Sequence, residues 1–166
     1  MLARLGTRTR LLLVAGAMVL ATAGCITPSA GPSGCGGPPG PPDALSASVL
    51  ARTNADRAAN GLGPLAWNPA LWCLASQWSS QMAATGAFGH RDVGATLHSS
   101  GFRSYRTLGE NIAHGPGETT GDQFEDAWLA SPSHLANILS GAYSSIGIAS
   151  AVAPDGSVYV TVNFGG

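Results

Sequence analysis

Apolar and polar positions along this chain follow two periods. Between Asn68 and Gly86, the residues Leu71, Leu74, Ala75, Trp78 and Met82 recur every three or four positions. That spacing predicts an amphipathic helix with Asn68 as its cap and Pro69 at its first position. Trp72 and Cys73 fall off the stripe. An earlier helix is expected from the cap Asp43 to about Asn60, stopped by Gly61, with Asn54 and Arg57 on one face. A third is expected from about Thr120 to Ala130, with Phe124, Ala127 and Trp128 inward and Glu125 and Asp126 on a solvated face. Pro132 breaks it, and a short helical turn, Ser133–Leu139, follows. The period then drops to two over Ile146–Val152 and Ser157–Phe164, and Ala153-Pro154-Asp155-Gly156 joins them as a hairpin. One more strand is expected at Glu110–His114.

Two helices, a strand, a helix and a terminal hairpin give an α+β protein with no βαβ repeat. Helices are numerous enough to cover both faces of the few strands. The expectation is a three-layer α-β-α sandwich around a small mixed or antiparallel sheet.

The first 42 residues do not fit this pattern. Arg4, Arg8 and Arg10 precede an apolar run, Leu11–Ala21, too short to span a bilayer, so residues 1–25 read as an export signal. Ala21-Thr22-Ala23 fits ordinary cleavage. Thr22-Ala23-Gly24-Cys25 resembles a bacterial lipobox, with Thr where Leu is usual, in which Cys25 is lipidated and anchors the chain to the outer face of the membrane. Residues 26–42 hold eleven Pro or Gly among seventeen, a linker expected to be extended or disordered and to act as a spacer. The folded domain begins at Asp43 and runs to Gly166. With Cys25 lipidated, Cys35 and Cys73 remain as a pair for a disulfide in an oxidising compartment, closing a loop of roughly 40 residues and adding about 3–4 kcal/mol.

Charge narrows the function. The chain has no lysine, and past residue 25 five arginines face nine acidic residues, a net charge near −4. That composition argues against nucleic-acid binding. There is no CxxC spacing, G-x-S-x-G elbow, HExxH or phosphate-binding glycine loop. The candidate chemistry sits in Gly109-Glu110-Asn111-Ile112-Ala113, where a carboxylate enters a strand that reads as buried. Such a group needs partners or takes up a proton. His90, in Phe88-Gly89-His90-Arg91, and His134, after Ser131-Pro132-Ser133, are the expected partners. Two imidazoles and a carboxylate can bind zinc and leave a position for water, or can form a hydrogen-bonded cluster. His98 and His114 read as surface or capping residues.

These stretches together resemble the CAP superfamily, also called SCP/TAPS or PR-1-like, its secreted bacterial members above all. The likeness is carried by Leu50–Arg57, Gly61–Asn68, Phe88-Gly89-His90, Gly109–Ala113, Trp128 with Ser131–Leu139, Ile146-Gly147-Ile148 and Asn163-Phe164-Gly165. It implies an α-β-α sandwich in which His90, Glu110 and His134 line a cleft that in relatives can bind a divalent metal such as zinc. Many relatives carry a second Glu three positions after the helix-three Trp; here Ser131 stands in that cleft position. The resemblance implies an exported binding module, a monomer, for a lipid, a sterol or another cell-envelope ligand. The alternative is a zinc-assisted, peptidase-like hydrolase in which His90 and His134 are ligands and Glu110 is a ligand or general base.

Overall fold

The computed structural model describes residues 37–166 apart from Ser100. The residues expected to form the export signal, and Cys25 and Cys35 with the lipidation and the bridge to Cys73 expected of them, lie outside the described residues.

Asp43 caps α1 (Ala44–Ala59) by accepting from the Ser46 backbone N–H. β1 (Ala66–Trp67) follows the connector. Asn68 caps α2 (Pro69–Thr85), which Gly86 closes in a left-handed conformation. Then come α3 (Val93–Leu97), β2 (Leu108–Gly115), α4 (Gly121–Leu129), α5 (Pro132–Ile138), β3 (Ser145–Val152) and β4 (Val158–Gly165). The sheet order is β1-β3-β4-β2, with β1 parallel to β3 and the other pairs antiparallel. The short β1 carries no period-two signal, because two residues are too few to show one.

β4 is the central strand, and all eight of its residues are buried. Val158, Val160, Val162 and Phe164 pack with Val49 of α1, Phe124 and Trp128 of α4, and Ile138 of α5. Tyr159 faces the other way, onto Met82 and Ala83 of α2. The sheet therefore has α2 on one face and α1, α4 and α5 on the other, the predicted sandwich.

The α1 face is also held by polar groups. Arg57 is 2 % exposed. Its guanidinium donates to the carbonyls of Gly63, Ile138 and Ser140 at 2.8–2.9 Å. Asn54, on the same face, clamps Leu65 by exchanging two hydrogen bonds with its backbone. One turn of α1 thus fixes the connector and the end of α5.

Glu125 corrects the sequence reading. It is not on a solvated face but wholly buried between α4 and α1. Thr53 Oγ1 donates to its Oε1 at 2.9 Å, and Oε2 has no hydrogen-bond partner. Asp126, beside it, is exposed and paired with Arg52. The buried stripe of α4 runs through Gly121, Phe124, Glu125 and Trp128, and Ala127, expected inward, is exposed instead.

Burial, with some help from nearby Asp56, lifts the Glu125 carboxyl from 4.5 to about 7 against the Thr53 hydrogen bond. The unfolded chain ionises here near 4.5, while the fold keeps the proton until about 7. Stability from this group is full below 4.5 and is lost as pH rises through that window. Glu125→Gln keeps an acceptor for Thr53 and cannot ionise. Urea unfolding should show it gaining about 3 kcal/mol on the wild type between about pH 4.5 and 8, at about 1.4 kcal/mol per pK unit. Parallel pH profiles for the two proteins would refute the assignment.

Candidate functional site

β2 is an edge strand whose residues alternate between faces. Glu110 and Ile112 register opposite Asn163 and Thr161, and Ile112 packs on the α2 side with Met82 and Tyr159. Asn111 turns toward α5. Its amide donates to the His134 carbonyl at 3.1 Å, and its Oδ1 accepts from Asn137 at 2.8 Å. Asn137 also donates to the Glu110 carbonyl at 3.1 Å. Trp128 Nε1 donates to the Ile112 carbonyl at 3.0 Å. Side chains from α4 and α5 thus satisfy carbonyls on the free edge of β2, and the same bonds hold the α5 backbone at His134 against that strand. Gly109 is required here, since a Cβ would strike the Tyr143 hydroxyl and approach Asn137 Oδ1 at 3.0 Å.

The Glu110 side chain is 1 % exposed. Its Oε1 lies 3.0 Å from His90 Nδ1 and accepts from the Arg91 backbone N–H at 3.1 Å. Its Oε2 accepts from Arg91 Nε at 3.1 Å. A carboxylate only accepts, so His90 Nδ1 carries the proton in this bond. Arg91 reaches further: Nη2 donates to the Leu74 carbonyl in α2 at 2.6 Å, and the guanidinium lies 5.0 Å from the centre of the Trp78 ring. Trp78 Nε1 in turn donates to the Gly89 carbonyl at 2.9 Å. Residues 87–91 are thereby pinned between α2 and β2. Burial lowers the Arg91 pKa, and Glu110 pulls it back.

His134 stands near this pair, its ring centre 6.1 Å from that of His90 and tilted by 43°. Burial lowers its pKa, and His90 lowers it further. The structure therefore brings His90 and Glu110 into contact and sets His134 against His90. Ser131 takes the N-cap position of α5 without a side-chain cap bond, and its Oγ lies 3.4 Å from that of Ser133. The sequence reading missed Arg91 as the main partner of Glu110. The signal was present, because Arg91 directly follows His90 and few cations exist in the domain to neutralise a buried acid. His114 is exposed, as expected of a surface residue. It stacks on Tyr159 at 5.4 Å and meets the edge of Phe88 at 4.6 Å.

The donor set does not fit a three-ligand metal site as arranged. Both Glu110 oxygens already accept from Arg91, whose positive charge opposes a cation there. Among the described residues, no group of three His, Cys, Asp or Glu side chains stands close enough to hold a metal ion. What adjoins the cluster is a groove of about 480 Å³ between α2 and residues 87–91. Trp78, Met82 and Phe88 give it apolar walls, and His90 and Arg91 line it too. Phe88 is 48 % exposed.

Comparison with known proteins agrees with this architecture. The profile of CAP, the cysteine-rich secretory protein family, matches residues 50–164. The uncharacterized protein YkwD of Bacillus subtilis is 35 % identical over an alignment of 115 residues that covers 64 % of this chain and 44 % of that protein. The chain thus spans under half the length of that relative. An extracellular SCP-domain protein of Bacillus anthracis superposes with a TM-score of 0.60 at 26 % identity, over 72 % of this chain and 39 % of that one. An outer surface protein of Borrelia burgdorferi gives 0.60 at 20 % identity, over 70 % of this chain and 88 % of that one. Among the described residues, no helix is long and apolar enough to cross a membrane.

The lowered pKa of His134 has a definite sign. The unfolded ring takes up its proton near 6.5 and the folded ring only below that. The contribution to stability is present above about 6.5 and is lost as pH falls below it. An NMR titration of His134 should give a midpoint below about 6.5, and His90→Ala should raise it only part of the way, because burial remains. A midpoint at or above about 6.5 in the wild type, or full recovery in the variant, would contradict this.

Proposed function

Because this chain belongs to the CAP family of cysteine-rich secretory proteins, we propose that it is an exported binding module. Its ligand is an amphiphile of the cell envelope, a lipid or a sterol, held in the groove between α2 and residues 87–91. The observation that carries this reading is the groove itself. Its lining is more apolar than polar, with Trp78, Met82 and Phe88 beside Gln77, Gln81, His90 and Arg91. An amphiphile matches that mixed lining, its hydrocarbon covering the exposed Phe88 and its head group meeting the polar side chains. Pockets of this size that are largely apolar with a few fixed polar groups are usual for small ligands. Export, by secretion or by a lipid on Cys25, places the domain where such ligands are found.

The peptidase-like reading has less support. Glu110, its base or ligand, is held by Arg91, and the remaining imidazoles make two donors rather than three. In this proposal the His90–Glu110–Arg91 cluster shapes the groove, and a divalent cation is not needed for binding.

Purified protein titrated with a fluorescent fatty acid and, separately, a fluorescent sterol should bind at least one of them saturably. Chelator should leave the affinity unchanged. Phe88→Ala and Trp78→Phe should each weaken binding, the first by about tenfold if roughly 1.4 kcal/mol of apolar contact is lost. Failure to bind either probe, or binding that chelator abolishes, would overturn the reading. A zinc titration with His90→Ala and His134→Ala separates the metal question, since tight zinc binding lost in both variants would restore the metal-site alternative.

A further inference from the structure

The proline- and glycine-rich segment was expected to be a free spacer through residue 42. Its last residues are instead seated on the domain. Trp67 Nε1 donates to the Pro38 carbonyl at 3.0 Å. Gly37 lies so close to the start of α2 that a Cβ there would meet the Pro69 carbonyl oxygen at 2.6 Å and the Trp72 ring at 2.7 Å. Gly37, Pro38, Gly40 and Pro41 are all partly buried. Trp72 is the aromatic that fell off the apolar stripe of α2, and this contact gives it a use.

We propose that Trp67 and Trp72 form a seat for the proline- and glycine-rich segment that leads into α1, and that residues 37–41 of this chain are its occupant. The Trp67 indole N–H meets the Pro38 carbonyl, the Trp72 ring walls Gly37, and each proline enters with its φ already fixed, which lowers the entropy lost on docking. Gly37, with no Cβ, lets the backbone approach the start of the helix closely. The seat takes residues 37–41 out of the spacer expected over residues 26–42. It also fixes where the tether leaves the domain. Trp72 is on the first turn of α2, whereas Met82 of the groove lies ten residues on, about 15 Å along the helix axis at about 1.5 Å per residue. The groove therefore opens toward the opposite end of α2 from the tether. The seat itself does not depend on what the groove binds.

The test follows the Trp67 indole proton by NMR in the full exported chain with its linker. In the wild type it should exchange with water about tenfold more slowly than a free indole, as one retained hydrogen bond implies. Gly37→Ala, which adds the obstructing Cβ, should bring it to within about twofold of the free rate. Pro39→Ala, at an exposed position, should leave it slow. The readout is local to the indole, so a Cys35–Cys73 bridge that kept the segment nearby would not hide its release. A Trp67 indole proton that exchanges freely in the wild type, or one that stays slow in Gly37→Ala, overturns the proposal.

Discussion

A carboxylate placed inside a sheet must be answered by a positive charge, and in this protein the answer is Arg91. Glu110 is buried on β2, and Arg91 meets it with both its backbone N–H and its side chain. The same guanidinium caps Leu74 of α2 and lies over Trp78. One ion pair therefore couples the edge strand, the helix across that face, and the loop that carries Phe88 and His90. The groove exists because that loop is held off α2 at a fixed distance. His90 owes its position to being the neighbour of Arg91, and its own bond to Glu110 is the smaller constraint, as its side chain is 50 % exposed.

The other face of the sheet solves a similar problem with different groups. Arg57 has no carboxylate partner among its hydrogen bonds and spends its donors on backbone carbonyls. Asn111 and Asn137 close the edge of β2 with amides rather than charges. These bonds cost less to bury than an unpaired ion and are directional, so they fix where α5 lies and with it His134. Glu125 is the exception on this face. It is retained as a buried acid with one hydrogen bond, and its stability cost at neutral pH is the consequence.

Much of this was legible in the sequence. The three longer helices, the terminal hairpin and the sandwich follow from apolar spacing and from caps such as Asp43 and Asn68. The meeting of His90 with Glu110, and His134 close by, was anticipated from a buried acid in need of partners and from the family likeness. Two kinds of information were not legible. Choosing Arg91 over histidine needs the loop geometry that turns it inward, and adjacency to His90 gives only a hint of that. Burial of Glu125 depends on α1 lying across α4, a tertiary contact that helical periodicity within α4 does not encode. Trp72 and the linker were unreadable for a third reason, because glycine and proline carry no periodic signal from which docking can be inferred.

The account stands or falls on the Glu110–Arg91 pair, and a double-mutant cycle in urea unfolding measures it most directly. Glu110→Gln and Arg91→Met should each cost about 3–5 kcal/mol, because each leaves one buried charge without its partner. The double variant should cost clearly less than their sum, with a coupling of at least about 2 kcal/mol. Additive losses, with coupling under about 0.5 kcal/mol, would mean that the pair is incidental and that something else holds the groove open.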